Sequence, residues 1–341
     1  MGAGAQIRRL EKLRLAEEKA KRKSGRSKAL LREAWRSGNY RPEVPDVREA
    51  LAAIDALWAS VPSRRRPRHL EGYAQQILSQ HGEDGITYEL LKRVGMETRK
   101  CVELGSGSNG GNAGFMIAGL GYRGLLVDGD PDLAGIAEAT FSPLGTDVTS
   151  DWVTREGVDD LLASHGFEGE IDYLGIDLDG IDWWIWEALS VAQPRIVVVE
   201  YNAIFGPKVS ATIAYHQDFS RKARMPDDEW VWPKGYFGAS FTAFERLAER
   251  KGYRLVTSAP DSTNAYFVRK DLARGTPTRS VRSLYQPPRK ESQQQHAKLI
   301  QKAGVMAWAQ SVRKPLVEVE KDGTPVLPQA TTTSQSSLVA S

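Results

Sequence analysis

Cys101-Val102-Glu103-Leu104-Gly105-Ser106-Gly107-Ser108-Asn109-Gly110-Gly111-Asn112 is an apolar run that breaks into glycines after Leu104. It reads as a strand ending at Leu104 and a helix starting near Gly110. Gly105, Gly107 and Gly110 spell G-x-G-x-x-G, and glycines there allow a tight turn and a close ligand. The place of the pattern between strand and helix gives it weight. Outward from the loop, apolar runs of strand length alternate with helical ones from about residue 72. Strands are predicted at Lys100–Leu104, Gly124–Asp128, Ile171–Asp177, Ile196–Tyr201, Arg254–Ser258 and Ala265–Arg269. Helices are predicted at 110–120, 131–138, 153–165, 181–191 and 240–251. The alternation argues for a parallel α/β sheet with helices on both faces. The last two strands flank 260–264 and read as a hairpin.

Two ligands compete for the loop. A dinucleotide needs its pyrophosphate over the helix N-terminus. Glu103, two residues before the first glycine, would repel a pyrophosphate and attract an ammonium group. S-adenosylmethionine has an α-amine and a sulfonium and no phosphate, so the carboxylate favours it over NAD. Gly105, Gly107 and Asn109 would then line the cofactor. The next strand ends Leu125-Leu126-Val127-Asp128-Gly129-Asp130. Asp128 or Asp130 could accept both ribose hydroxyls, although Asp130 before Pro131 also reads as a helix N-cap.

Two further strands end in acids, at Asp177-Leu178-Asp179-Gly180-Ile181-Asp182 and at Glu200-Tyr201-Asn202. Ligands of an open α/β sheet bind beyond the carboxyl ends of its strands, so Asp177, Asp179, Glu200 and Asn202 should gather beside the cofactor. Carboxylates in one cleft repel unless a cation or a proton intervenes. Hard oxygen ligands suit Mg²⁺, which could hold a substrate hydroxyl and lower its pKa. One acid could instead be a metal-free general base, or the acids could cap helices. No downstream Glu completes a calcium loop. Trp183, Trp184 and Trp186 cannot all share one helix face, and at least one should be core. The segment 203–235 holds Tyr215, His216, Trp230 and Trp232 and reads as a lid or acceptor pocket. His216 is a candidate general base there, against a plain surface histidine.

The flanks differ from this centre. The chain of 341 residues carries net charge +3, but residues 1–28 alone carry ten Lys/Arg against three acids. This basic helical arm could pack on a partner protein or touch an anionic surface. No aromatic is interleaved before Trp35, which argues against nucleic acid. A second helix is predicted at 48–60, and the loop Arg64-Arg65-Arg66-Pro67-Arg68 reads as solvated. One helix is expected at 294–312, with little order elsewhere after 272. One cysteine excludes a disulfide framework. No apolar run of about 18 residues predicts a membrane helix, and the basic N-terminus lacks an apolar h-region; a cytoplasmic protein is expected.

Across roughly residues 76–270 the chain resembles the FkbM-type family of S-adenosylmethionine-dependent methyltransferases. The matching blocks, in order, are Ser79-Gln80-His81-Gly82-Glu83-Asp84, Val102 to Gly107, Leu126 to Asp130, Ile176 to Asp182, Val198 to Asn202, and Asn264 to Arg269. The resemblance implies a class I methyltransferase fold, an α/β Rossmann-like, mostly parallel seven-stranded sheet ending in an antiparallel hairpin. It implies O-methylation, commonly of hydroxyls in sugars, glycans or natural products, with Gln80, Glu83 and Asp84 at the cofactor-side mouth. Asp177 or Asp179 with Glu200 and Asn202 are also similar in placement to the Mg²⁺ ligands of catechol-type O-methyltransferases, except that Tyr201 separates the last two. The expected organisation is a basic helical extension (1–70), a methyltransferase domain (71–272) and a largely disordered extension (273–341). An NAD-dependent oxidoreductase and a non-catalytic scaffold are the alternatives. The acceptor would be a small molecule or glycan, and self-association stays open.

Overall fold

The structure, a computed structural model, describes residues 29–41, 46–79, 81–220, 235–261 and 263–327. The basic arm 1–28, Gln80, Trp230, Trp232 and the tail from 328 lie outside the described residues.

A seven-stranded sheet has the spatial order β3-β2-β1-β4-β5-β8-β7. Its strands are β1 (Lys100–Leu104), β2 (Arg123–Asp128), β3 (Asp147–Ser150), β4 (Gly169–Ile176), β5 (Ala192–Glu200), β7 (Tyr253–Ser258) and β8 (Asn264–Arg269). Neighbours run parallel except at β8, which lies antiparallel to both β5 and β7. This is the mostly parallel sheet with a closing hairpin that the alternation and the resemblance implied. β3 was not expected: Asp147-Val148-Thr149-Ser150 is short and polar because it is an edge strand, half-covered at best.

The strands are apolar throughout because both faces are covered. Val102, Leu104, Leu125 and Val127 face one core cluster, and Cys101 and Leu126 face the other. Helices α2 (Val47–Ser60), α3 (Glu83–Val94), α4 (Gly114–Leu120) and α5 (Pro131–Phe141) contribute to the second core. In α2, Asp46 caps the start, and Val47 and Leu51 fill the space a side chain on Gly119 would occupy. Helices α6 (Val158–Ser164), α7 (Asp182–Ala188) and α8 (Phe241–Arg250) contribute to the first. All three tryptophans of α7 are buried. The helix is short and covered all round: the Trp183 indole donates to Ala243 O, that of Trp184 to Ile213 O, and Trp186 packs on Phe244, Tyr253 and Phe267.

Two flanking regions depart from expectation. After residue 280 the chain forms α9 (Val281–Leu284), α10 (Glu291–Ala303), α11 (Val305–Val312), β9 (Leu316–Val319) and β10 (Pro325–Val326). The single helix expected at 294–312 is two, divided at Gly304 with φ +91°. The expectation of a largely disordered extension is therefore corrected over 281–326. Its few apolar residues do not fold alone; Ile300, Trp308, Val317 and Val319 join the first core cluster. β9 pairs with β10 and with β6 (Ala211–Ile213), which belongs to the segment after β5. At the other end, helix α1 (29–36) lies on α5, where the Trp35 ring fills the space a side chain on Gly135 would take. Arg32 pairs with Asp130 and Arg36 with Asp132.

Candidate active site

The strand order reverses between β1 and β4, and ligands of such sheets bind at that switch point. A cavity of about 850 Å³ opens there, beyond the carboxyl ends of β1, β2, β4 and β5.

Its floor is the glycine loop. Gly105 has φ +89°, and a Cβ on it would sit 1.9 Å from Asp177 O, so only glycine lets the loop pass the end of β4. Gly105 and Ser106 both donate backbone N–H to Val127 O. Gly107 N–H donates to Asp128 Oδ2 at 2.7 Å, and Asp130 N–H to Asp128 Oδ1 at 2.8 Å. Asn109 lines the cavity and donates to Leu78 O at 3.0 Å, tying the loop to the chain before α3. The helix starts at Gly114 rather than Gly110, because Gly110 and Gly111 both take positive φ.

Glu103 lines the cavity but is 1% exposed. Its Oε1 accepts the Asn112 N–H at 3.1 Å, and the buried Tyr173 hydroxyl lies against the carboxylate without good hydrogen-bond geometry to Oε2. The carboxylate is packed between Gly111 and Gly175, where a side chain on either would collide with it. Burial pushes its pKa well above the usual carboxylate range, and the charges of Asp177 and Glu83 push it further. A cation beside Oε2 would reverse that push. The site thus suits an ammonium group, and a carboxylate there repels a pyrophosphate.

Asp128 and Asp130 separate. Asp130 is the N-cap of α5, accepting from Asp132 and Leu133 N–H, and its other oxygen pairs with Arg32. Asp128 faces the cavity from the end of β2, its oxygens oriented by backbone amides and each still able to accept a hydroxyl.

The acids of the other strand ends do gather. Asp177, Asp179 and Glu200 place one carboxylate oxygen each within 4.8 Å of one another, all partly buried. Asp182 shapes this turn from beneath, accepting Leu178 N–H at 2.8 Å and Gly180 N–H at 2.9 Å; burial raises its pKa to about 6. Asn202 does not join the group. Its amide donates to Gly235 O and Phe237 O and its oxygen accepts Ile204 N–H, so it braces the segment after β5. His216 is not among the lining residues; its Nδ1 accepts the Asp218 N–H in a turn that carries Phe219 onto Gly180. Glu83 reaches the cavity, accepting His81 N–H and the Asn264 amide. Asp84 does not. It accepts the N–H groups of Ile77, Leu78 and Ser79 on one oxygen, and burial raises its pKa to about 6.

Several lining residues escaped the sequence reading. Trp152 follows β3, lies over Gly129 and donates its indole N–H to Gln217 O. An unrecognised strand hid it. Arg32 and Arg36 come from α1, about a hundred residues from the acids they meet, and no local pattern marks them. His81 sat unremarked inside a motif read for its neighbours.

No known family model matches the chain, and no curated protein matches it. Solved structures do. An O-methyltransferase from Bacillus cereus in complex with SAH is 14% identical over 70% of this chain and 95% of that one, with TM-score 0.36. A SAM-dependent methyltransferase from Aquifex aeolicus is 13% identical over 64% and 97%, with TM-score 0.33. The N-terminal domain of EvdMO1 with SAH bound is 10% identical over 58% and 82%, with TM-score 0.36. Identities and TM-scores this low leave the chemistry of this chain to its own residues.

Proposed function

We propose that the chain is an S-adenosylmethionine-dependent O-methyltransferase of FkbM-like type that acts on a hydroxyl of a sugar, glycan or natural product. Glu103 carries the proposal. A buried carboxylate that holds only the Asn112 amide and a poorly aligned Tyr173 hydroxyl, with Asp177 and Glu83 nearby, is stabilised by a cation and disfavours a phosphate.

S-adenosylmethionine supplies an electrophilic methyl on a positively charged sulfur. Glu103 Oε2 takes its α-ammonium, and Asp128 accepts the ribose hydroxyls. The glycine loop lets the cofactor lie against the backbone. Asp177, Asp179 and Glu200 border the acceptor side and set its hydroxyl in line with the methyl and sulfur. Alignment of this kind is the main requirement of an in-line displacement. The same three carboxylates fit Mg²⁺, a hard cation that takes oxygen ligands and polarises a bound hydroxyl. Asn202 would stand outside that set.

Calorimetric titration with S-adenosylhomocysteine (SAH), with NAD⁺ in parallel and with and without Mg²⁺, tests this reading. Micromolar SAH binding with no NAD⁺ binding is expected. Binding of NAD⁺ alone would move the chain to the oxidoreductases, and binding of neither would favour a scaffold.

A further inference from the structure

The proposed transfer needs a group that removes the acceptor's proton, and His216, the histidine first considered, is not at the cavity. Another histidine is. His81 lines the cavity in the loop before α3, and its buried Nδ1 lies 2.8 Å from Asp261 Oδ2, an ion-pair distance at an angle outside hydrogen-bond geometry. The side chain as a whole is 26% exposed, and with Nδ1 buried that exposure lies elsewhere on the ring. Asp261 is fixed in turn: the Thr263 hydroxyl donates to its other oxygen at 2.6 Å. Against the upward push of burial, His81 and Thr263 hold the Asp261 carboxyl below its ordinary value. The His81 backbone is also fixed, its N–H donating to Glu83 Oε2 at 2.7 Å.

This pair stands on the acceptor side. Asp261 belongs to the turn between β7 and β8, whose next residues, Thr263 and Asn264, line the cavity. Asn264 is the register partner of Glu200 across β5 and β8, and its amide donates to Glu83. Two chain segments about 180 residues apart thus meet beside the acid group.

We propose that His81 is the general base of the reaction and that Asp261 is its positioning residue. This rests on the methyltransferase reading above. A carboxylate 2.8 Å from Nδ1 favours the ring proton on that nitrogen, which makes Nε2 the basic one. An imidazole is the side chain most often used for such proton transfer. In the step, the acceptor oxygen forms a bond to the methyl carbon as the carbon–sulfur bond breaks. The electron pair of that bond stays on sulfur, Nε2 takes the hydroxyl proton, and the proton later passes to water. Methylated acceptor, SAH and one proton are the products.

The experiment needs no acceptor. The ¹⁵N resonances of His81, assigned with His81→Asn, are followed against pH in the protein alone, with SAH, and with sinefungin, whose amine puts a positive charge where the reacting methyl sits. The groups around the ring are Asp261, Glu83, Arg289 (whose guanidinium donates to Pro260 O) and Lys290, which lines the same cavity. They are common to all three samples. The expected result is a neutral ring protonated on Nδ1, titrating at lower pH with sinefungin than with SAH, and a shift of the proton away from Nδ1 in Asp261→Asn. His81→Asn should change the SAH dissociation constant less than about threefold. A neutral ring protonated on Nε2, or the same titration with both ligands, overturns the base assignment. So does a tenfold loss of SAH affinity in His81→Asn, which would make His81 a partner of the cofactor carboxylate. Failure of the wild type to bind SAH at all would overturn the methyltransferase reading instead.

Discussion

Glu103 sits at a cost to the folded chain, since a buried carboxyl without a full set of partners is unfavourable in the absence of ligand. Glu103→Gln should therefore raise the melting temperature of the ligand-free protein while lowering SAH affinity tenfold or more; thermal melts and calorimetry read the two effects separately. Asp182 offers a pH test. Its folded pKa of about 6 lies above the ordinary carboxyl value, so its contribution is fully present at low pH and is lost as pH rises through 4 to 6. Between pH 4 and 7 the wild type should lose about 2–3 kcal/mol relative to Asp182→Asn, measured by urea unfolding of both at each pH. Gly105→Ala should cost about 3 kcal/mol or more, because a Cβ 1.9 Å from Asp177 O adds a collision to a backbone strained for any other residue. A variant as stable as wild type would mean that the loop does not pass β4 as described.

At the scale of elements, the weakest joint is α1 on α5. Half-exposed ion pairs such as Arg32–Asp130 and Arg36–Asp132 contribute little, so the notch at Gly135 that receives Trp35 is the main hold. Gly135→Ala should push the ring out, and hydrogen exchange over residues 29–41 should rise while that of the sheet stays unchanged. The strongest flanking joint is Trp308, fully buried against Phe205 and Tyr236. Trp308→Ala should cost about 3–5 kcal/mol. These two joints also mark what the sequence could and could not reveal. The core strands were legible because burial on both faces makes them apolar runs, and the glycine loop because its turn tolerates few other residues. β3 was not, since an edge strand needs no apolar run. Trp308 was not, since its partners lie about 70 and 100 residues away. At the site, the strand-end acids were legible from topology alone. Asn202 misled because an amide at a strand end serves as readily to brace backbone as to face a ligand. The His81–Asp261 pair was invisible because nothing local relates a loop before α3 to a turn after β7.

For the whole molecule, the described chain has no separable tail between 281 and 326, because Val281, Ile300, Trp308 and Val319 share a core cluster with the tryptophans of α7. A chain ending at residue 272 should expose Phe205, Tyr236 and Ile213 and aggregate, whereas one ending at 327 should stay soluble; size-exclusion chromatography of the two decides. The reversed strand β8 has a consequence in time as well as in space. It fills the place between β5 and β7, so while the chain is being made β5 waits with an unpaired edge until residues 264–269 emerge. At about 5–20 residues per second, the interval is on the order of 3–13 s. The same hairpin brings Asn264 to the cavity, so a nascent chain would acquire a sealed sheet and the β8 side of the pocket in one event, and a prematurely released one would have neither.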